Sequence, residues 1–239
     1  MSVPSLAVAE RKPSLAVVED SEVPELELHD IVKTWRGTGR VLDHVNLVVP
    51  SGGAVHIAGR NGTGKTTLLR IAVGLIKPQS GVVASAGLNP DTNRRQYQQR
   101  IGFLAAGDRA LYARMTARDH LKFWSRLNFV PRARERDTIE RAIVRFGLSE
   151  LAERRVDRIS MGQRQRVRLA GFFLHEPSVV LLDEPRNSLD DDGIELLAGW
   201  AEEVTQRGGA VIWCSPNGEA AELDFTHRYV LERGQLRPA

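Results

Sequence analysis

Gly59-Arg60-Asn61-Gly62-Thr63-Gly64-Lys65-Thr66-Thr67 is where this sequence concentrates its chemistry. The run fits G-x-x-x-x-G-K-[ST], a loop built to hold phosphates. Its glycines let the backbone take turns closed to larger residues and bring N–H groups close to an anion. A helix starting near Lys65 adds partial positive charge at its first turn. Lys65 supplies a full charge for the β and γ phosphates, and the Thr66 hydroxyl is placed to ligate Mg²⁺.

Two further stretches carry chemistry. Val179-Val180-Leu181-Leu182-Asp183-Glu184 ends an apolar run in two carboxylates. At the C-terminal edge of a parallel strand a carboxylate sits where ligands bind. Asp183 is the candidate for holding Mg²⁺ through water, the role an aspartate takes in such nucleotide-hydrolysing sites. Glu184 is the candidate for orienting or deprotonating an attacking water. Ile159-Ser160-Met161-Gly162-Gln163 precedes an arginine-rich helix over Arg164 to His175. Ser160 and Gln163 have the spacing of a capping box, and a helix N-terminus bearing a serine hydroxyl is an anion site or simply a well-capped end.

These residues need elements to position them. Ala54-Val55-His56-Ile57-Ala58 reads as a buried strand entering the loop, and Thr67 to Val73 as the helix leaving it, with Gly74 near its end. The folded part begins near Leu26, where Glu25 to Asp30 alternates as an edge strand does. Val45 to Val49, Val82 to Ala84, Arg100 to Leu104, Ser178 to Leu182, Ala210 to Cys214 and Arg228 to Leu231 read as further strands. Residues 107–158 change character and form a helical insertion. A helix runs from Thr116-Ala117-Arg118-Asp119 to Leu127, a second from Arg134 to Phe146 with Gly147 as its stop, and Ser149 opens a third. Ile194, Leu197, Trp200, Ala201 and Val204 mark an amphipathic helix. Strands alternating with helices imply an α/β fold with a mainly parallel sheet.

Residues 1–24 stand apart. Pro4-Ser5-Leu6-Ala7-Val8 recurs as Pro13-Ser14-Leu15-Ala16-Val17, and the tail has little to bury, so it is expected to be disordered or loosely attached. The 239 residues are 42% hydrophobic and 26% charged, a globular composition, and 33 cationic against 30 acidic residues is too narrow an imbalance to argue for nucleic acid. One cysteine, Cys214, excludes an internal disulfide, and the sequence lacks a Cys/His cluster with metal spacing, which favours the cytosol. No apolar run approaches the ~18 residues that span a bilayer, and the start lacks a secretory pattern.

Taken in order, these pieces resemble the ATP-binding-cassette ATPases over residues ~26 to 236. The resemblance implies a P-loop NTPase core with an antiparallel β subdomain and the inserted helical subdomain, occupying residues 25–239. Ser160, Gly162 and Gln163 match the family's L-S-G-G-Q signature, with Ile159 and Met161 as departures, and Asn187-Ser188-Leu189-Asp190 is similar to the loop after the catalytic glutamate. Trp35 falls where the family places an aromatic that stacks on adenine. Two such domains would pair head to tail, as a homo- or a heterodimer, with each ATP between the phosphate loop of one and the signature helix of the other. The implied assembly is cytoplasmic, held to the inner face of the membrane by a separate permease.

Two positions depart from the family's pattern. Ala106 stands where a glutamine is expected, and Pro216 where a histidine is expected. Neither side chain can donate to a γ-phosphate, and losing one donor to transition-state charge costs roughly a hundredfold in rate. Ser215, Asn217 and Asp108 are the nearby residues able to compensate. The expected function is the ATPase subunit of an exporter. A nucleotide-binding subunit with impaired catalysis and a non-transport switch acting on ribosomes or DNA are the alternatives.

Overall fold

The computed structural model describes residues 23–37, 39–107, 111–216 and 223–239. The Pro-Ser-Leu-Ala-Val repeat lies outside them. The described chain forms two sheets. The smaller joins β1 (Leu26–Trp35), β2 (Gly39–Val49) and β4 (Ser80–Ala84) in the antiparallel order β2-β1-β4. The larger contains β3 (Ala54–Ala58), β5 (Ile101–Leu104), β6 (Val179–Asp183), β7 (Ala210–Ser215), β8 (His227–Glu232) and β9 (Gln235–Pro238), ordered β5-β6-β7-β3-β8-β9. All its pairs are parallel except β8 with β9.

The larger sheet is covered on both faces, so its central strands are apolar at nearly every position. Val55, Ile57, Leu181 and Ile212 enter a core shared with the small sheet and with α1 (Lys65–Ala72) and α2 (Arg94–Arg100), through Leu68, Leu69 and Tyr97. The neighbouring residues Ala54, Val180, Leu182, Val211 and Trp213 enter a second core. Its other walls are α3 (Ala117–Leu127), α4 (Arg132–Arg145), α5 (Met161–Phe173) and α6 (Asp191–Gln206). The period-2 alternation of strands therefore sorts side chains into two cores on opposite faces of one sheet.

Three expectations change. Leu26 to Trp35 is the middle strand of its sheet, not an edge. It buries only one face, with Leu26, Leu28 and, past a bulge at Asp30 (φ 54°), Ile31 inside. A central strand with one wet face alternates just as an edge strand does. No helix starts at Ser149. The segment forms turns whose Ala152 and Arg154 carbonyls accept from the Arg118 and Ala117 N–H groups, at 2.9 and 3.1 Å. Those carbonyls are used to satisfy the orphan donors of α3. Finally, α2 and β9 are present where no element was anticipated.

The cap of α3 has one conventional arm. Thr116 Oγ1 accepts from the Asp119 N–H at 3.1 Å, but the Asp119 carboxylate takes the Thr116 hydroxyl at 2.8 Å. Aspartate is one methylene shorter than the glutamate that reaches back to an N-cap N–H.

Candidate functional site

The phosphate loop joins β3 to α1 at the C-terminal edge of the larger sheet, between strands pairing β3 on both sides. Gly64 serves as the N-cap of α1 at φ 110°, a conformation strained for any residue with a Cβ. A Cβ at Gly59 would stand 2.7 Å from the Leu231 carbonyl oxygen. The loop is thus pressed onto β8 on one side. On the other it lies against β2, because a Cβ at Gly64 would meet Val41 at 3.0 Å. Thr63 Oγ1 donates to the Arg60 carbonyl at 2.9 Å and closes the turn. Arg60, Asn61 and Gly62 are exposed, and Thr66 and Thr67 half-buried in the first turn of α1.

The charged groups converge beneath this loop. Lys65, 4% exposed, donates to the Gly59 carbonyl and lies 3.0 Å from Glu184 Oε1. Asn187 Nδ2 holds the other Glu184 oxygen at 2.7 Å. Glu184 adopts φ 49° as the chain leaves β6, and its N–H donates to the Cys214 carbonyl at 3.0 Å. Such a conformation costs of order 1 kcal/mol or more and persists only where the surroundings enforce it. Thr66 Oγ1 donates to Asp183 Oδ2 at 2.8 Å.

Asp183 is 1% exposed, and its Oδ1 is buried without a hydrogen-bond partner. Burial pushes its pKa up, while the Thr66 hydrogen bond opposes the shift and the charge of Glu184 adds to it. A buried, unsatisfied carboxylate oxygen is costly by itself. Beside a threonine hydroxyl it completes a pair of hard oxygen donors, which fits Mg²⁺.

Trp35 ends β1 opposite Gly39 of β2, two residues before the Val41 that touches the phosphate loop. Its ring is 41% exposed, with Lys33 Nζ 4.8 Å from the centroid. An exposed aromatic at the loop's rim offers a stacking face.

Ser160 and Gln163 stand elsewhere. Ser160 is the N-cap of α5 and the capping box is complete: the Gln163 N–H donates to Ser160 Oγ at 3.2 Å, and the Ser160 N–H donates to Gln163 Oε1 at 2.9 Å. Gly162 lies against Asp190, where a Cβ would be 3.1 Å from the carboxylate. Among the described residues no hydrogen bond or ion pair joins Ser160, Gly162 or Gln163 to Gly59–Thr67. Met161, at the exposed end of α5, is 55% accessible.

Ala106 follows β5, exposed, on the wall of a groove of about 440 Å³ bounded by Trp124, Phe129, Arg168, Phe172 and His175. Pro216 follows β7 directly. Ser215 is described; Asn217 and Asp108 lie outside the described residues. Sequence reasoning missed the Lys65–Glu184 pair and the support of α1 by Tyr97. The Tyr97 hydroxyl donates to the Ala72 carbonyl at the end of α1, and burial raises its pKa. The only signal for α2 is one apolar residue in Arg94–Arg100, too little to define a helical face.

The family model described as ABC transporter matches residues 42–187. The chain is 34% identical over 171 residues to the ABC transporter ATP-binding protein NatA of Bacillus subtilis (strain 168), covering 72% of this chain and 70% of that one. It is 34% identical over 209 residues to the bacitracin transport ATP-binding protein BcrA of Bacillus licheniformis, covering 87% and 66%. To the Fe(3+) ions import ATP-binding protein FbpC of Escherichia coli (strain K12) it is 36% identical over 165 residues, covering 69% and 47%. The matched region thus spans 47% to 70% of these relatives' own length. A solved structure described as the ATP-binding subunit of an ABC transporter shares the fold, with a TM-score of 0.78 at 24% identity over 88% of this chain and 87% of that one. CbiO1 from Clostridium perfringens, described as part of the complex cbiONQ, gives 0.75 at 24% identity over 90% and 88%.

Proposed function

The chain belongs to the ABC transporter family of ATP-binding domains, and we propose that it binds and hydrolyses ATP to power export through a separate membrane permease. The observation that carries the ATP-binding and hydrolysing part of this reading is the pairing of Lys65 with Glu184 and of Thr66 with Asp183 under one phosphate loop; export through a separate permease rests on the resemblance to exporter subunits. Asp183 and Thr66 would hold Mg²⁺, which when bound offsets the charge of the phosphates. Lys65 exchanges its contacts with Gly59 and Glu184 for the β and γ phosphates. Glu184 then accepts a proton from the attacking water, with Asn187 fixing the carboxylate. Trp35 stacks on adenine. Gly59, Arg60, Asn61, Gly62, Thr63, Gly64 and Thr67 complete the cradle.

Ser160, Gly162 and Gln163 act on the ATP of a second ATP-binding domain paired head to tail. In the capping box Ser160 Oγ and Gln163 Oε1 only accept, so the serine O–H and the glutamine side-chain amide remain able to donate to a phosphate, and Ser160 is exposed. Ala106 and Pro216 lack donors for the γ-phosphate, so turnover by this chain alone is slow. Among the described residues no helix is long and apolar enough to cross a membrane; the translocation path is proposed to lie in the separate permease.

The test is co-expression with candidate six-span membrane proteins, followed by ATP turnover of the complex with and without Glu184→Gln. The substitution is expected to keep ATP binding, stabilise the dimer and lower turnover roughly a hundredfold. Unchanged hydrolysis would remove Glu184 from the chemistry, and failure of every membrane protein to co-purify would remove the permease.

A further inference from the structure

His56 is a polar side chain in the middle of Ala54-Val55-His56-Ile57-Ala58, the strand that feeds the phosphate loop. The alternation of the strand points it to the same face as Ala54 and Ala58, into an apolar core, and it is 1% exposed. A polar ring in that place is costly unless its nitrogens are bonded. Its Nε2 lies 2.8 Å from Ser215 Oγ.

Ser215 is the last residue of β7, in register with Ala58. Its carbonyl accepts from the N–H of Gly59, the first residue of the phosphate loop, at 3.2 Å. The preceding carbonyl, of Cys214, accepts from the N–H of Glu184 at 3.0 Å. Two consecutive peptides of β7 therefore fix both the start of the loop and the backbone of the glutamate assigned to the water. The far side of the His56 ring meets Phe225, where the chain returns toward β8, with centroids 5.2 Å apart. One imidazole thus touches the chain both where it leaves β7 and where it comes back.

We propose that His56 is a positioning residue for hydrolysis: by holding Ser215, it sets the end of β7 and hence the separation of the phosphate loop from Glu184. This rests on the reading that the site hydrolyses ATP. Reacting groups displaced by about an ångström lose of order a hundredfold in rate, so one buried hydrogen bond at this junction acts on kcat before it acts on affinity. The segment leaving Ser215 begins with Pro216, which has neither an N–H nor a polar side chain to fix itself to the site. The anchor is therefore supplied from the strand beneath.

The experiment compares His56→Leu, His56→Gln and Ser215→Ala in the full chain, assembled with its permease where one is found. Leucine keeps much of the volume without a donor, while glutamine retains an amide able to reach the hydroxyl. His56→Leu and Ser215→Ala are each expected to lower kcat roughly tenfold, with KM for ATP moving less than about twofold. His56→Gln is expected to recover most of the rate, and the double variant His56→Leu/Ser215→Ala to be no slower than either single one. A lower melting temperature with unchanged kcat overturns the proposal, and so do additive losses or a rise in KM alone. Where His56→Leu does not fold, His56→Ala takes its place in the same cycle with Ser215→Ala, and a double variant slower than Ser215→Ala alone overturns the proposal. Full activity of all variants overturns this inference alone. No ATP turnover by the unsubstituted assembly overturns the proposed function and this inference with it.

Discussion

The phosphate loop and the signature turn are both helix N-termini, and they are built in opposite ways. At α1 the N-cap is a glycine with no side chain to offer, the helix entrance is open, and the charged groups beneath come from other elements: Glu184 and Asp183 from the end of β6. At α5 the N-cap is a serine and the capping box is closed: Ser160 Oγ and Gln163 Oε1 each accept a backbone N–H of the same turn. The first terminus is wired to the rest of its own chain and is incomplete without a ligand's charges. The second closes on itself and, among the described residues, has no polar link to the first. An anion site can be made by leaving backbone donors free or by presenting a capped hydroxyl. The resemblance to the ATP-binding-cassette ATPases, with the lack of a polar link between the two turns among the described residues, is what assigns the second to a partner's nucleotide.

Substitutions that treat the two termini differently sharpen this contrast. Lys65→Ala has the largest expected effect: it removes the cation that Glu184 and the phosphates share, and ATP turnover should fall by roughly a hundredfold or more, with weaker nucleotide binding by titration calorimetry. Retained ATP affinity would show that the loop's backbone suffices alone. Gly171→Ala probes the body carrying the signature turn. A Cβ there would stand 1.8 Å from the Trp124 ring, so α3 and α5 must separate. Overpacking of this kind costs about 1–3 kcal/mol, read as a lower denaturation midpoint, with nucleotide affinity at the phosphate loop unchanged.

The smallest expected change is the most informative pair. Thr116→Ala and Ser160→Ala each remove an N-cap acceptor, of α3 and α5, and each should cost about 1 kcal/mol of stability. Only Ser160→Ala should also slow turnover, by roughly tenfold. Equal turnover in the two variants would reduce the signature serine to a cap.

How much of this was legible in the sequence follows the same division. Gly59 to Thr67 and Asp183-Glu184 are local strings whose residue types state their chemistry, and the strands leading into them are apolar runs, interrupted in β3 by His56. Ser160 and Gln163 announced a capped helix, and the structure shows both arms of the cap, with Ser160 Oγ and Gln163 Oε1 as acceptors. What stayed hidden depends on tertiary pairing. The exposed face of β1 gave a central strand the pattern of an edge. Arg94–Arg100 is held as a helix through Tyr97, whose hydroxyl reaches α1 from a sequence with no apolar periodicity. Gln235–Pro238 is a strand only because β8 is open on that side to pair with it. His56 looked like one more residue of a buried strand until Ser215 lay opposite its ring.

The most direct test of a site shared between two molecules is a mixing experiment. Lys65→Ala protein keeps an intact signature turn, and Ser160→Arg protein keeps an intact phosphate loop, and each alone should be close to inactive. Mixed in equal amounts with ATP and Mg²⁺, they should regain about a quarter of the unsubstituted rate, since half of the dimers would hold one intact site out of two. Turnover no greater than the sum of the two separate proteins would contradict a site shared between two copies of this chain.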